Sequence, residues 1–254
     1  MTRLGALFLL LAALGATGAA RADSLMSDLS QRLIAITSSF TGSSILVFGA
    51  VVPEGPGRRD VVIVLRGPDQ SIRVRRKDRV FGIWINADAH PFIGIPAYYA
   101  VAATRPLADI GATAHFARHQ IGLDALRLPD REREEGEAPD PEVTPFRDAI
   151  RRLKARDGLF NPLIVPVTFV GPSLFRAEFQ FPSNVPVGSY KVEIYLFKDG
   201  DLAGANSSAL FVDKTGLERW IYRSAHEYPA LYGLAAIAIA AIFGWGAAIV
   251  FRRR

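Results

Sequence analysis

The sequence predicts a mainly β protein: an immunoglobulin-like β-sandwich body with a helical insertion, plus one C-terminal transmembrane helix. Three observations predict it. Short β-branched and aromatic segments, set off by Gly- and Pro-rich turns, fill residues 23–106 and 160–214. A charged stretch of helical period, 107–159, separates them. An uncharged segment of 22 residues, Ala230 to Phe251, precedes three terminal arginines.

Residues 1–22 read as a cleaved signal peptide. Arg3 supplies the positive start, Leu4 to Leu14 the apolar run, and Ala20-Arg21-Ala22 the small residues of a cleavage site. The run is short for a membrane span, and an uncleaved anchor is the alternative. The mature chain then begins at Asp23.

In the first β region, Arg32 to Phe40 and Ser44 to Val52 are apolar and β-branched, broken by Thr41-Gly42-Ser43. Asp60 to Arg66 (DVVIVLR) reads as a buried-type strand, ended by Gly67-Pro68-Asp69. Ser71 to Lys77, Val80 to Asn86 and Ala97 to Thr104 follow. Pro91 and Pro96 confine the piece between the last two to an edge or a loop.

In the insertion, Ile110, Ala114, Ala117 and Ile121 share a helical face. Asp130 to Glu142 holds seven acids in thirteen residues and reads as an exposed loop. Thr144-Pro145 opens a second helix, with Thr as N-cap and Pro at the first position. Phe146, Ile150 and Leu153 form its buried stripe, and Asp157-Gly158 ends it.

Four strands are expected in the second β region: Leu163 to Val170, Ser173 to Phe181, Ser189 to Lys198 and Ser207 to Val212. The last two read as a hairpin through Lys198-Asp199-Gly200. Pro186 to Tyr190, entering a strand, suits an immunoglobulin-like corner. Thr215 to Glu218 is a capping box that starts a juxtamembrane helix over 215–229.

The segment 230–251 would reach about 33 Å as a helix, enough to span a bilayer core. The alternative is a buried core helix. Arg252, Arg253 and Arg254 favour a cytoplasmic tail, 252–254, with the body periplasmic at the inner membrane. Trp220, Tyr222, Tyr228 and Tyr232 suit the outer interface. Ala236, Ala240, Gly244 and Ala248 repeat every four residues and make a candidate packing face for a membrane-protein partner or a second copy. The bland alternative is an Ala-rich span without a specific contact.

Composition restricts the chemistry. The chain lacks cysteine, which excludes disulfides, thiolate metal sites and a thiol nucleophile. Formal net charge is +5, but five basic residues (Arg3, Arg21, Arg252, Arg253, Arg254) lie at the ends, so the remaining 25 balance the 25 acids. That neutrality and the compartment argue against nucleic acid. Arg73, Arg75, Lys77 and Arg79 would point one way from a strand, as a candidate anion or partner surface. Their alternative is a polar face, or one neutralised by the acidic loop. His115 and His119 share a helical face, but spacing nominates no third ligand, so no metal site is expected. Trp84, Tyr98, Tyr99 and Trp220 either line a cleft or, as a Trp in an alternating strand usually does, belong to the core. No nucleophile elbow, phosphate loop or dinucleotide fingerprint is present. No cofactor or catalytic residue is assigned.

Several strings taken together carry a family resemblance: Ile34 to Gly42 (IAITSSFTG), Leu46 to Gly49, Asp60 to Pro68, Arg75 to Lys77, Gly82 to Asn86 (GIWIN), Pro96 to Ala100 and Arg105 to Leu107. With them the chain resembles the alphaproteobacterial putative transmembrane protein family over nearly its whole length. The resemblance implies the topology above and brings no activity or ligand with it. It also implies, through gene neighbourhood alone, a role beside a sulfite-exporter-like transporter. The expectation is a non-enzymatic protein that binds a partner or supports a membrane complex. The alternatives are a periplasmic small-anion binding module and a membrane-anchored hydrolase.

Overall fold

The computed structural model describes residues 24–52, 55–130, 141–215 and 224–251. The signal segment, most of the acidic stretch, Gly216 to Glu218 of the capping box, Trp220, Tyr222 and the three terminal arginines lie outside the described residues.

The described residues form twelve strands. They are β1 (Ser24–Leu29), β2 (Leu33–Ile36), β3 (Gly42–Val52), β4 (Arg59–Arg66), β5 (Asp69–Val80), β6 (Ile83–Pro96), β7 (Tyr99–Ala103), β8 (Val165–Pro166), β9 (Thr168–Val170), β10 (Leu174–Pro182), β11 (Gly188–Lys198) and β12 (Asp201–Lys214). The helices are α1 (Thr113–His119), α2 (Thr144–Arg156) and α3 (Pro229–Phe251). One sheet has the order β1-β3-β10-β9, a second β2-β12-β11-β4-β7-β8, and β5 pairs only with β6. Both larger sheets therefore draw strands from both β regions of the sequence.

A first core lies between the two larger sheets. Along β10 the alternation sends Phe175, Ala177, Phe179 and Phe181 inward and leaves Arg176, Glu178 and Gln180 exposed. From the facing sheet come Val61, Ile63 and Leu65 of β4 and Tyr190, Val192, Ile194 and Leu196 of β11. The alternate residues Val62, Val64, Tyr195 and Phe197 belong to a second core on the sheet's other face. Phe116 of α1 and Phe146 and Ile150 of α2 pack there. This explains the unbroken hydropathy of DVVIVLR: β4 is a central strand covered by a sheet on one side and by the insertion on the other. Gly49 lets β1 and the Phe175 ring approach β3 closely, because a Cβ there would strike Met26 O and that ring.

The turn between β11 and β12 carries left-handed backbone where a hairpin requires it. Asp199 (φ 51°) and Gly200 (φ 98°) join β11 to β12, the expected hairpin. Tyr190 Oη donates to Pro186 O at 2.6 Å, bracing the corner where β11 begins. β12 also pairs in parallel with β2, Phe211 opposite Leu33.

Several expectations are corrected. The strand expected over Val80 to Asn86 is interrupted: β5 runs on to Val80, the chain reverses through Phe81-Gly82, and Ile83 to Asn86 open β6. Arg32 to Phe40 shortens to Leu33–Ile36. On α1, Ala114 and Ala117 are exposed. The seven-residue helix buries Phe116, whose ring lies 5.6 Å from Phe197, while Ile110 and Ile121 are buried just outside its ends. On α2, Leu153 is exposed, and the helix packs through Phe146 and Ile150. The N-cap of α2 is Val143, one residue before Thr144.

Candidate functional site

The cationic row lies on the β5–β6 hairpin. The base of that hairpin is anchored: Ile72, Val74, Phe92 and Ile95 pack into or against the second core, and His90 lies against the Phe146 ring at 4.6 Å. An Arg76–Asp88 ion pair closes the anchored part, with Arg76 also over the Phe146 ring at 6.0 Å. Beyond it, residues 77–79 and 81–89 are all exposed. From that pair to the turn is five residues of ribbon, about 17 Å at 3.3 Å per residue.

Register defines the two faces of the ribbon. Arg73 faces Pro91, Arg75 faces Ala89, Lys77 faces Asn86 and Arg79 faces Trp84. A bulge opposite Arg76 and Lys77 leaves Ala87 of β6 without a partner, while the unbroken alternation of β5 sends these four cations to one side. That side carries no acid. Arg73, Arg75 and Lys77 form no ion pair with a described residue, and Arg79 Nε donates to Gly82 O at 3.3 Å. The row is a flat ribbon face rather than the wall of a hollow.

The turn itself is apolar. Phe81 is 100% exposed, Ile83 68%, Trp84 66% and Ile85 44%. Phe81 sits at φ 48° and Gly82 at φ 85°, as both central residues of a type I′ turn must. A bulky ring is a poor choice for the first position, where Asn, Asp or Gly is preferred. The aromatic residues do not share a cleft. Trp84 stands on the ribbon; Tyr98, just before β7, belongs to the first core, and Tyr99, the first residue of β7, to the second. The core placement of Trp84 is likewise overturned, since no layer covers that part of the hairpin.

Sequence reasoning missed one buried charge. Asp60, 4% exposed at the head of β4, accepts from Thr104 Oγ1 and from Arg105 Nε, each at 2.8 Å, and pairs with the other arm of the same guanidinium. Burial opposes its ionisation, but the bonds from Arg105 and Thr104 outweigh it and hold the carboxyl below its ordinary value. The signal was an acid opening an otherwise apolar, doubly buried strand. This pair floors an open hollow of about 500 Å³ that also touches Arg58, Asp109, Asp199 and Asp201. Its lining is of mixed charge, and Arg105 holds the entry to the insertion against β4.

A second polar knot fixes the end of α1. Arg66 donates to His119 O at 2.6 Å and to Gln120 O at 3.1 Å, and its Nε lies 3.1 Å from Glu193. Tyr99 Oη donates to Gln120 O at 2.7 Å and accepts from Gly122 N. Burial, then the Glu193 charge, pushes the Tyr195 phenol up to about 12. His115 and His119 lie against Phe197 and Tyr195, and among the described residues no three His, Cys, Asp or Glu side chains form a metal-binding group.

The remaining candidate face lies on α3. This helix is apolar over Pro229–Ile249, long enough to cross a membrane, and buried nowhere against the rest of the chain. Ala236, Ala240, Gly244 and Ala248 are exposed along it.

A β-rich body joined to one such helix defines the class: a membrane protein with a single candidate span near its C-terminus. The chain belongs to the family described as "Putative transmembrane protein" (Alph_Pro_TM), which matches residues 24–253. No curated protein matches it.

Proposed function

We propose that the chain is a non-enzymatic, single-pass inner-membrane protein whose periplasmic body binds a partner protein or supports a membrane complex, with a transporter as one such partner. The observation that carries the reading is α3, a span with none of the described residues of its own chain burying it and with Ala236, Ala240, Gly244 and Ala248 along one side. In lipid, where apolar burial does not drive helices together, small side chains allow the close backbone approach that does. The arginines at 252–254 support a cytoplasmic tail. The strand orders β1-β3-β10-β9 and β2-β12-β11-β4-β7, with the Tyr190 corner, support an immunoglobulin-like sandwich, a fold that serves widely as a binding module.

The test is affinity purification of the tagged full chain in mild detergent, with mass spectrometry of what accompanies it. A stoichiometric membrane protein, or a second copy of this chain, is expected, and Gly244→Leu is expected to remove it. A chain that purifies and cross-links alone, or a partner indifferent to Gly244→Leu, contradicts the role given to α3.

A further inference from the structure

The β5–β6 hairpin is an element whose exposed part its own fold does not explain. Its outer half covers no core, and no described residue covers it. Its turn holds a fully exposed Phe81 in a left-handed conformation that a polar residue would adopt with less strain. Such a side chain stabilises nothing within the chain. Ile83, Trp84 and Ile85 extend the apolar tip over both ribbon faces; Arg79 and Lys77 stand next behind it on one face, Arg75 and Arg73 further back on the anchored part, and Asp78 faces Ile85 on the other.

We propose that this hairpin is a second membrane contact: Phe81, Ile83, Trp84 and Ile85 enter the headgroup–acyl boundary, and Lys77 and Arg79 behind them meet anionic headgroups, with Arg73 and Arg75 adding to the positive field further back. An apolar, Trp-bearing tip backed by cations matches the layering of a bilayer surface, apolar inside and negatively charged at the rim. The chain also brings its own membrane. The last body strand ends at Lys214 and α3 begins at Pro229, so fourteen residues tether the body to the span. Even fully extended they reach only about 50 Å, so the tip meets the surface at high local concentration. Two contacts, span and hairpin, would then fix the body's orientation on the bilayer. The inference rests on the membrane-anchored reading and is independent of any protein partner of α3.

The absence of cysteine makes a direct test available. The full chain carrying Ile83→Cys is labelled with an environment-sensitive fluorophore and reconstituted into vesicles of phosphatidylcholine with phosphatidylglycerol. Ser183→Cys, on an exposed turn after β10, is the control. The label at 83 is expected to shift to shorter wavelength and to lose most of its emission to a lipid-borne quencher, while the label at 183 loses none. Adding Phe81→Asn and Trp84→Ser returns the signal at 83 to the control level. Asn-Gly is the preferred type I′ pair, so an unchanged or raised melting midpoint shows that the turn still forms. Replacing Arg73, Arg75, Lys77 and Arg79 by Gln removes the response to phosphatidylglycerol. A label at 83 as wet as the control overturns the proposal. So does a shifted label that lipid quenchers do not reach, because the tip is then covered by protein, either a second copy or a partner.

Discussion

Phe179→Ala is expected to lower the stability of the body by about 3–5 kcal/mol, the cost of emptying a large aromatic site in a packed core. Phe179 is 0% exposed on β10, in the core that joins the two larger sheets. Both sheets are built from both β regions, so loosening this contact weakens the whole sandwich rather than one half. Phe211→Ser on β12 is the comparison. That ring is 51% exposed, and surface changes of this kind move stability by roughly 0.5 kcal/mol or less. Urea unfolding followed by near-ultraviolet circular dichroism distinguishes them. Equal effects would mean that the inward face of β10 has been misassigned.

Asp60→Asn should destabilise the body by about 2–3 kcal/mol near neutral pH, the range for charge-assisted bonds made in a buried setting. The effect depends on pH, with a defined sign. The folded carboxyl titrates below its ordinary value, so its stabilisation is fully present above the unfolded pKa of about 3.9. It is lost as pH falls through the lower folded value. Melting midpoints of the wild type and of Asp60→Asn should therefore differ at pH 7 and converge below about pH 4. A gap that persists in strong acid would show that packing at β4, rather than the Asp60–Arg105 pair, is responsible.

The parts of the fold legible in the sequence were those whose pattern has a single physical cause. DVVIVLR reads as a buried-type strand because its hydropathy is unbroken, and the structure supplies the cause: Val61, Ile63 and Leu65 meet one core and Val62 and Val64 the other. The β11–β12 hairpin reads from Lys198-Asp199-Gly200 because a two-residue turn needs left-handed backbone there. α3 reads from length and hydropathy alone. The β5–β6 ribbon was illegible because alternation specifies that side chains point to two sides, not whether another layer covers either side. GIWIN therefore resembled a core strand, although the ring of Trp84 is mostly exposed. Phe81 hid the turn, since Phe-Gly lacks the Asn or Asp that marks one. The cationic row was legible as a face, because Arg73, Arg75, Lys77 and Arg79 keep the strand period. Where that face stands was set by the Arg76–Asp88 closure and the anchoring of the hairpin base on Phe146, both of them tertiary. Asp60 and Arg105 lie 45 positions apart, and no local pattern links them. Leu153 continued the α2 stripe in sequence, yet the sheet beneath is met by Phe146 and Ile150.

The proposed topology has one span holding the β-rich body outside the cytoplasm and the tail inside. Single-cysteine chemistry tests it directly, since the native chain contributes no thiol. Ser183→Cys on the body and Arg253→Cys beyond the span are each exposed in spheroplasts to a membrane-impermeant maleimide. Position 183 is expected to be labelled at once and position 253 only after lysis. Labelling of 253 in intact spheroplasts with 183 protected would contradict it.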